Sequence, residues 1–303
     1  MKNIAVYLNL ALEKNTPLSK ADYIQSYFEL SQEVAAREGK MFFVGNMDTY
    51  KGQGFFSRSW MYGDEGKFID SGEVKADVVF DRGGFSPSDA VPTFNDPYIN
   101  EICTDKWRTY QLLPSLSPKS FLATNKEEYS SAVKEINTDI VVVKPRFGSE
   151  GVGVIIDDKQ KVASSITEET FPAVVQEFMD SSGGVPGIVQ GTHDFRVAIF
   201  DGQPLYSYYR TPPSGSLKAN VAQGGSFSMV DVSRIPADFL DILQKIDAIF
   251  SHLPHRFYGI DVALTPTGYK LIEMNSRLGL LPNKDALEFL ILKQKLAEVL
   301  TSL

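Results

Sequence analysis

Residues 141–156 read VVVKPRFGSEGVGVII, two β-branched runs enclosing a Lys-Pro step and a glycine-rich turn. Three glycines within six residues, just behind a lysine, suggest a phosphate site. Neither familiar glycine template fits. A P-loop sets its lysine after the glycines and runs into a helix, whereas Lys144 comes first. The dinucleotide fingerprint also opens a helix, but Gly148, Gly151 and Gly153 have the reverse spacing. Val152, Val154, Ile155 and Ile156 then read as a second strand. The stretch predicts strand, turn, strand, with a cation at the end of the first strand.

A chain of 303 residues can bury large cores and divide into two or three lobes. Its 43% hydrophobic and 22% charged residues are those of an ordinary soluble globular protein. A net charge of −8 argues against nucleic acid as a partner, because such surfaces are usually basic. A few well-placed lysines and arginines can still focus field on an anionic ligand. The single cysteine, Cys103, excludes an intramolecular disulfide and a multi-cysteine zinc site, and is expected as a small buried hydrophobe. The start, MKNIAVYLNLAL, reads as a short strand, with Glu13 following too soon for a signal segment. No run approaches the roughly 18 apolar residues of a membrane span, so no membrane partner and a cytoplasmic location are expected. A homo-oligomer is compatible with the sequence.

Outward from the opening stretch, residues 1–100 read as an α/β lobe. Strands are expected at 4–8, 41–44 and 76–80, with a helix over 19–37 that Gly39 ends. Ligands in open α/β sheets sit at carboxyl strand ends, which makes the loop 9–18 and Arg82-Gly83-Gly84 candidate substrate walls. Helices are expected over 104–113, 126–136 and 236–251, and one closes the chain. A Pro/Ser-rich connection follows the first of these. Strands are expected at 140–143, 173–179, 195–200 and 204–210, with Asp201-Gly202 as a hairpin turn between the last two.

The most informative stretch is GIDVALTPTGYKLIEMN, residues 259–275. It reads as a hairpin turning near 266–268. Glu273 and Asn275 are two apart on one strand and share a face, and Asp261 lies at a matching distance from the turn on the other. Three oxygen donors without His or Cys suit a hard cation such as Mg²⁺. His193 reads as a polar loop residue, and Tyr208 and Tyr209 as packing residues.

In chain order stand Lys106 in TDKWRTY, the KPRFGSEGVGV turn, QEFM at 176–179, HDFR at 193–196, Arg210 followed by Asn220 and Gly224-Gly225, and GID with IEMN. As an ordered set, these motifs resemble the ATP-grasp superfamily over roughly residues 75–285, in its glutathione-synthetase-like and ribosomal-protein glutamate ligase branch. The resemblance implies an α/β (α+β) ATP-grasp fold. Its parts would be an N-terminal α/β pre-ATP-grasp domain (1–103), a small central lid subdomain with the glycine-rich loop (104–179), and a C-terminal antiparallel-sheet subdomain (180–303).

The resemblance also implies roles. Lys106 and Lys144 would contact nucleotide phosphates, and Gly148, Ser149, Gly151 and Gly153 would belong to a loop that closes over them with backbone N–H groups. Backbone groups of Gln176, Glu177, Phe178 and Met179 would recognise adenine. Asp261, Glu273 and Asn275 match the magnesium ligands, with Mn²⁺ an alternative ion. Arg196 and Arg210, with Asn220, would stabilise the transferring phosphoryl group and an acyl phosphate. Arg82, Gly224, Gly225 and Arg277 are substrate-side candidates. Where many relatives have a Pro-Gly turn after the terminal motif, this chain has Ser276-Arg277, and Arg277 either clamps a substrate carboxylate or pairs with a neighbouring acid.

The activity so implied is an ATP- and Mg²⁺-dependent carboxylate–amine ligase that works through an acyl phosphate and releases ADP and phosphate. Its partners would be a small carboxylate and an amine, an amino acid or short peptide. A phosphotransferase and a non-catalytic ATP-binding protein are the competing readings. Loops 9–18, 82–95, 180–193 and 211–225 would set substrate identity, because loops vary freely on one scaffold.

Overall fold

The computed structural model describes residues 1–9, 17–63, 66–148, 151–217, 219, 224–280 and 287–303. Two units are distinguished, residues 1–100 with 277–303, and residues 101–276. The two expected ATP-grasp subdomains thus fall in one unit. Residues 277–303, expected with the third part, belong with the first. Burial gives the reason, since the C-terminal helix Leu287–Ser302 packs on the first unit with Leu292, Leu296 and Leu300 inside.

The first unit is built on β1 (Lys2–Tyr7), α1 (Ala21–Ala35), β2 (Gly39–Val44), β3 (Tyr50–Gly52), β4 (Phe55–Tyr62), β5 (Phe68–Lys75), β6 (Val78–Asp81) and β7 (Thr93–Phe94). The sheet order is β3-β4-β2-β1-β6-β7, with β5 against β4. β1 runs parallel to both β2 and β6. Strands buried on both faces carry unbroken apolar runs, which is why β1, β2 and β6 were legible. The antiparallel addition β3–β5 was not, because its strands mix polar and aromatic residues. α1 buries Tyr27, Leu30 and Val34. Its end corrects the expectation. The left-handed residue is Glu38 (φ 60°), and Gly39 already opens β2. What Gly39 supplies is space, since a Cβ there would lie 2.7 Å from Val34 Cγ1.

Next come α2 (Pro97–Thr104), α3 (Lys106–Leu112), β8 (Ser120–Ala123), α4 (Lys126–Glu135), β9 (Ile140–Pro145), β10 (Ile155–Asp158), α5 (Lys159–Ser165) and β11 (Ala173–Glu177). β8 lies in the stretch read as a Pro/Ser-rich connection. An antiparallel sheet of order β10-β9-β11-β8 results. Tyr129 and Ala132 of α4 and Val162 of α5 close a core with Val141, Val143 and Val175. The opening stretch is indeed strand, turn, strand, but the second strand begins at Ile155. Val152 sits in the turn, 68% exposed.

The second sheet holds β12 (Asp194–Phe200), β13 (Gln203–Thr211), β14 (Ser226–Val230), β15 (Phe257–Thr265) and β16 (Gly268–Asn275), in the order β14-β13-β12-β15-β16. Asp201 (φ 49°) and Gly202 (φ 79°) make the tight β12–β13 turn. Helix α6 (Ala237–Phe250) buries Phe239, Leu243, Ile246 and Phe250 at helical spacing. Among the described residues no helix is long and apolar enough to cross a membrane.

Candidate active site

One rung of the second sheet carries most of the chemistry. Tyr208, Arg196, Asp261 and Glu273 stand opposite one another across β13, β12, β15 and β16. The last pairing depends on a β-bulge. From the turn the β15–β16 ladder runs regularly to Val262 opposite Leu271, and then Asp261 meets Glu273. Ile272 is the extra residue. Without it Asp261 would oppose Ile272, and both Glu273 and Asn275 would face the other way.

Asp261 has no exposed surface. Arg196 grips it with both Nε and Nη2, and Arg210 Nη2 donates to it at 2.6 Å. Arg210 also holds Asp194 bidentately, at 2.6 and 2.9 Å. Arg196 approaches Glu273 at 3.6 Å and donates to the Tyr208 hydroxyl at 3.4 Å. Tyr208, read as packing, is thus also a polar partner. Burial pushes Asp261 up, but the two guanidinium groups outweigh it and hold its carboxyl at about 2. Burial wins at Asp194, which is pushed up to about 6 against the pull of Arg210.

The two lysines approach from other elements. Lys144, next to last in β9, is 6% exposed and donates to Gln176 Oε1 (2.9 Å) and to the carbonyl of the bulge residue Ile272 (3.2 Å). Burial lowers it to about 8, with Glu273 pulling it back up and Lys106 pushing it further down. Lys106 opens α3 and donates to the Gly148 carbonyl at 2.6 Å. Asp105 fixes that helix start. Its carboxylate accepts from the Trp107 and Arg108 N–H groups and takes Arg146 bidentately, the closest contact at 2.6 Å.

Lys106, Lys144, Arg210, Asp194, Asp261 and Glu273 all line one cleft. Its apolar walls come from Val142, Val154, Ile156, Met179 and Ala263 among others. A largely apolar cleft with converging cations suits a ligand part aromatic and part anionic. Gly148 and Gly151 border it, and Gly148, Gly151 and Gly153 all take positive φ.

The family can now be read from the chain. A model of the RimK-like ATP-grasp domain matches residues 103–298. The chain belongs to the RimK-like ATP-grasp family. A probable alpha-L-glutamate ligase of Psychromonas ingrahamii is 28% identical to this RimK-like chain over 200 residues, 62% of the chain and 61% of that relative. The chain therefore matches less than two thirds of such relatives. The RimK domain ATP-grasp protein of Sphaerobacter thermophilus shares the fold with a TM-score of 0.62 at 16% identity, covering 98% of this chain and 99% of its own. The VanG D-Ala:D-Ser ligase of Enterococcus faecalis has a TM-score of 0.67 at 16% identity, covering 99% and 98%.

Within the RimK-like unit, not every expected residue reaches the cleft. Gln176, Phe178 and Met179 line it, but Glu177 turns away and accepts from the Asn137 side chain at 2.9 Å. Phe178 and Met179 follow the strand rather than ending it, since β11 stops at Glu177. Gly224 and Gly225 lead into β14 and are not in the lining. Ser149 and Asn220 lie outside the described residues. His193, read as a polar loop residue, is buried. Its Nδ1 faces the Gly191 carbonyl at 3.0 Å and its Nε2 accepts from Leu264 N–H at 3.4 Å, a neutral structural imidazole. Cys103 is half-buried rather than core. Asp105, Ser120 and Ile272 were given no role, and Asp194 stood only as a member of the HDFR motif. Asp105 carried a signal, an Asp one residue before a helix start. The bulge at Ile272 carried none.

In the first unit, Arg82 and Arg277 sit at the carboxyl end of the parallel strands. Arg82 Nε donates to Tyr27 Oη (3.1 Å) and Nη2 to the Leu278 carbonyl, while its buried Nη1 has no partner among the described residues. Arg277 lies against Gly84, where a Cβ would come within 3.0 Å of its Nη2.

Oxygen donors for a hard cation are present. Asp261 accepts three N–H groups of the roughly four a carboxylate can take. Glu273 beside it accepts from Asn275 Nδ2 at 3.4 Å. Among the described residues no group of three or more His, Cys, Asp or Glu is placed to hold a metal, so the set is two carboxylates and an amide. All its donors are oxygens, the chemistry a hard divalent cation takes, and both oxygens of Asp261 are at present engaged by Arg196 and Arg210.

Proposed function

We propose that this chain is an ATP-dependent carboxylate–amine ligase. The observation that carries it is the convergence of Lys106, Lys144 and Arg210 with Asp261 and Glu273 in one mostly apolar cleft. The apolar wall takes the adenine ring, and the lysines, with loop N–H groups around Gly148 and Gly151, take the phosphates. A divalent cation, Mg²⁺ by the donor set, would be held by Asp261, Glu273 and Asn275 and would neutralise phosphate oxygens.

The γ-phosphoryl group passes to a substrate carboxylate, giving an acyl phosphate and ADP. An amine then attacks the acyl carbon and phosphate leaves. Arg210, which lines the cleft, and Arg196, on the adjacent strand and outside the lining, are the cations for the charge that develops on the phosphoryl oxygens. Their bidentate clamps on Asp194 and Asp261 hold the guanidinium planes fixed before substrate arrives. In the first unit, Arg82, whose Nη1 has no partner among the described residues, and Arg277 are the candidate groups for a carboxylate. An amino acid or short peptide follows as substrate class, in keeping with the relatives named as glutamate ligases.

The test is phosphate release from ATP over a panel of amino-acid and peptide pairs, with mass spectrometry of the products. The expected result is stimulated ADP formation and a product equal to both substrates less one water. Nucleotide binding with no stimulation by any pair would overturn the ligase reading, and a stable phosphorylated product would replace it by a phosphotransferase.

A further inference from the structure

We propose that the Gln176 side chain is the positioning residue for Lys144, and that it makes no contact with the base. The inference rests on Lys144 being a nucleotide-phosphate contact. The sequence placed the backbone of Gln176 in the adenine-recognising strand, and its side-chain amide makes a bond elsewhere at each end. Oε1 accepts from Lys144 Nζ at 2.9 Å, and Nε2 donates to Ser120 Oγ at 2.7 Å. Ser120 Oγ in turn donates to the Pro118 carbonyl at 2.9 Å.

This chain has one permitted direction. Having given its proton to Pro118, the Ser120 hydroxyl can only accept from Gln176. The amide is thereby oriented with its oxygen toward the lysine, since a flip would set an NH₂ group against an ammonium. Gln176 is 4% exposed, Ser120 2% and Lys144 6%, so water does not compete for these bonds.

Lys144 is thus held by two neutral acceptors, the amide on β11 and the bulge carbonyl on β16. An ammonium has three donors, so one N–H remains for a ligand in the cleft that Lys144 lines. Neutral acceptors at both bonds leave the charge available to phosphate, which a carboxylate at position 176 would not. Lys106 is held differently, by a carbonyl of the glycine loop itself. Gln176 therefore gives Lys144 a fixed direction that does not depend on the loop.

Titration of ATP and of adenosine into the folded wild type, Gln176→Leu, Lys144→Met and the double variant decides the matter. Gln176→Leu is expected to weaken ATP about tenfold, the value of one bond to a charged group, and to leave adenosine within about twofold. In the Lys144→Met background the same change should have no further effect on ATP. Ser120→Ala should give a smaller loss that is also absent in that background, and it supplies the same readout if Gln176→Leu fails to fold. Equal losses for ATP and adenosine, or equal losses in both backgrounds, would overturn the proposal. A wild type that binds no ATP would instead overturn the nucleotide reading beneath it.

Discussion

Lys144 shows how one side chain can be legible in kind and illegible in state. Its place before a glycine turn marked it as a phosphate contact, yet its ionisation is set by residues far away in sequence. Burial lowers it to about 8, and Glu273 and Lys106 move it in opposite directions. For a lysine with a lowered pKa, the charged form is present below that value and lost as pH rises through it. Polyphosphate binding should therefore weaken above pH 8, to about one tenth of its pH 7 strength by pH 9 if one charge is required. Titrating ATP across pH 7–9.5 checks this. Lys144→Arg, which keeps its charge over that range, should flatten the decline even if its affinity is lower throughout. A profile equally steep in both proteins would show that another group is responsible.

At the scale of the element, the glycine turn and the bulged hairpin behave differently. Glycines in a turn advertise themselves, and the positive φ of Gly148, Gly151 and Gly153 is the physical content of the pattern. Gly153 has a second constraint, since a Cβ there would come 2.8 Å from Pro145 Cγ. Valine at 151 and 153 should strain the turn by about 1–3 kcal/mol per site. The strain falls on the segment proposed to lie over the phosphates, while the apolar wall is untouched. Turnover is expected to fall at least tenfold with adenosine affinity within about twofold, compared by steady-state assay and direct titration. Equal losses in both would show that the turn shapes the base site instead. The β15–β16 hairpin was found from its alternation, but the face on which Asp261 and Glu273 meet was not secured by it. One extra residue, Ile272, reverses the parity of everything beyond it.

At the scale of the whole molecule, the last helix belongs with the first strands. Lys293 pairs with Glu29 of α1, and Leu292, Leu296 and Leu300 are buried within that unit. Each such leucine contributes about 1.5–3 kcal/mol, so together they rival the stability of a small domain. Deleting residues 287–303 should leave residues 1–100 open to proteolysis while 101–276 stays protected, a contrast visible by limited digestion and mass spectrometry. Uniform protection would show that the first unit stands without the helix.

Much of the protein could be read from order and periodicity. Continuous apolar runs marked the parallel strands, the 3.6-residue repeat marked α6, and the succession of lysine, glycine turn, arginine and carboxylate motifs marked the RimK-like ATP-grasp family. These signals are local, or are ordered lists of local signals, and each arises from backbone geometry within a few residues. The tertiary structure alone decided the rest. It turned Glu177 away from the cleft, engaged Gln176 with a lysine, tied Arg196 and Arg210 to Asp261, and set Lys144 against the carbonyl of a bulge residue. Each of these depends on which strands lie side by side and in what register, and register is a property of contacts between residues distant in the chain.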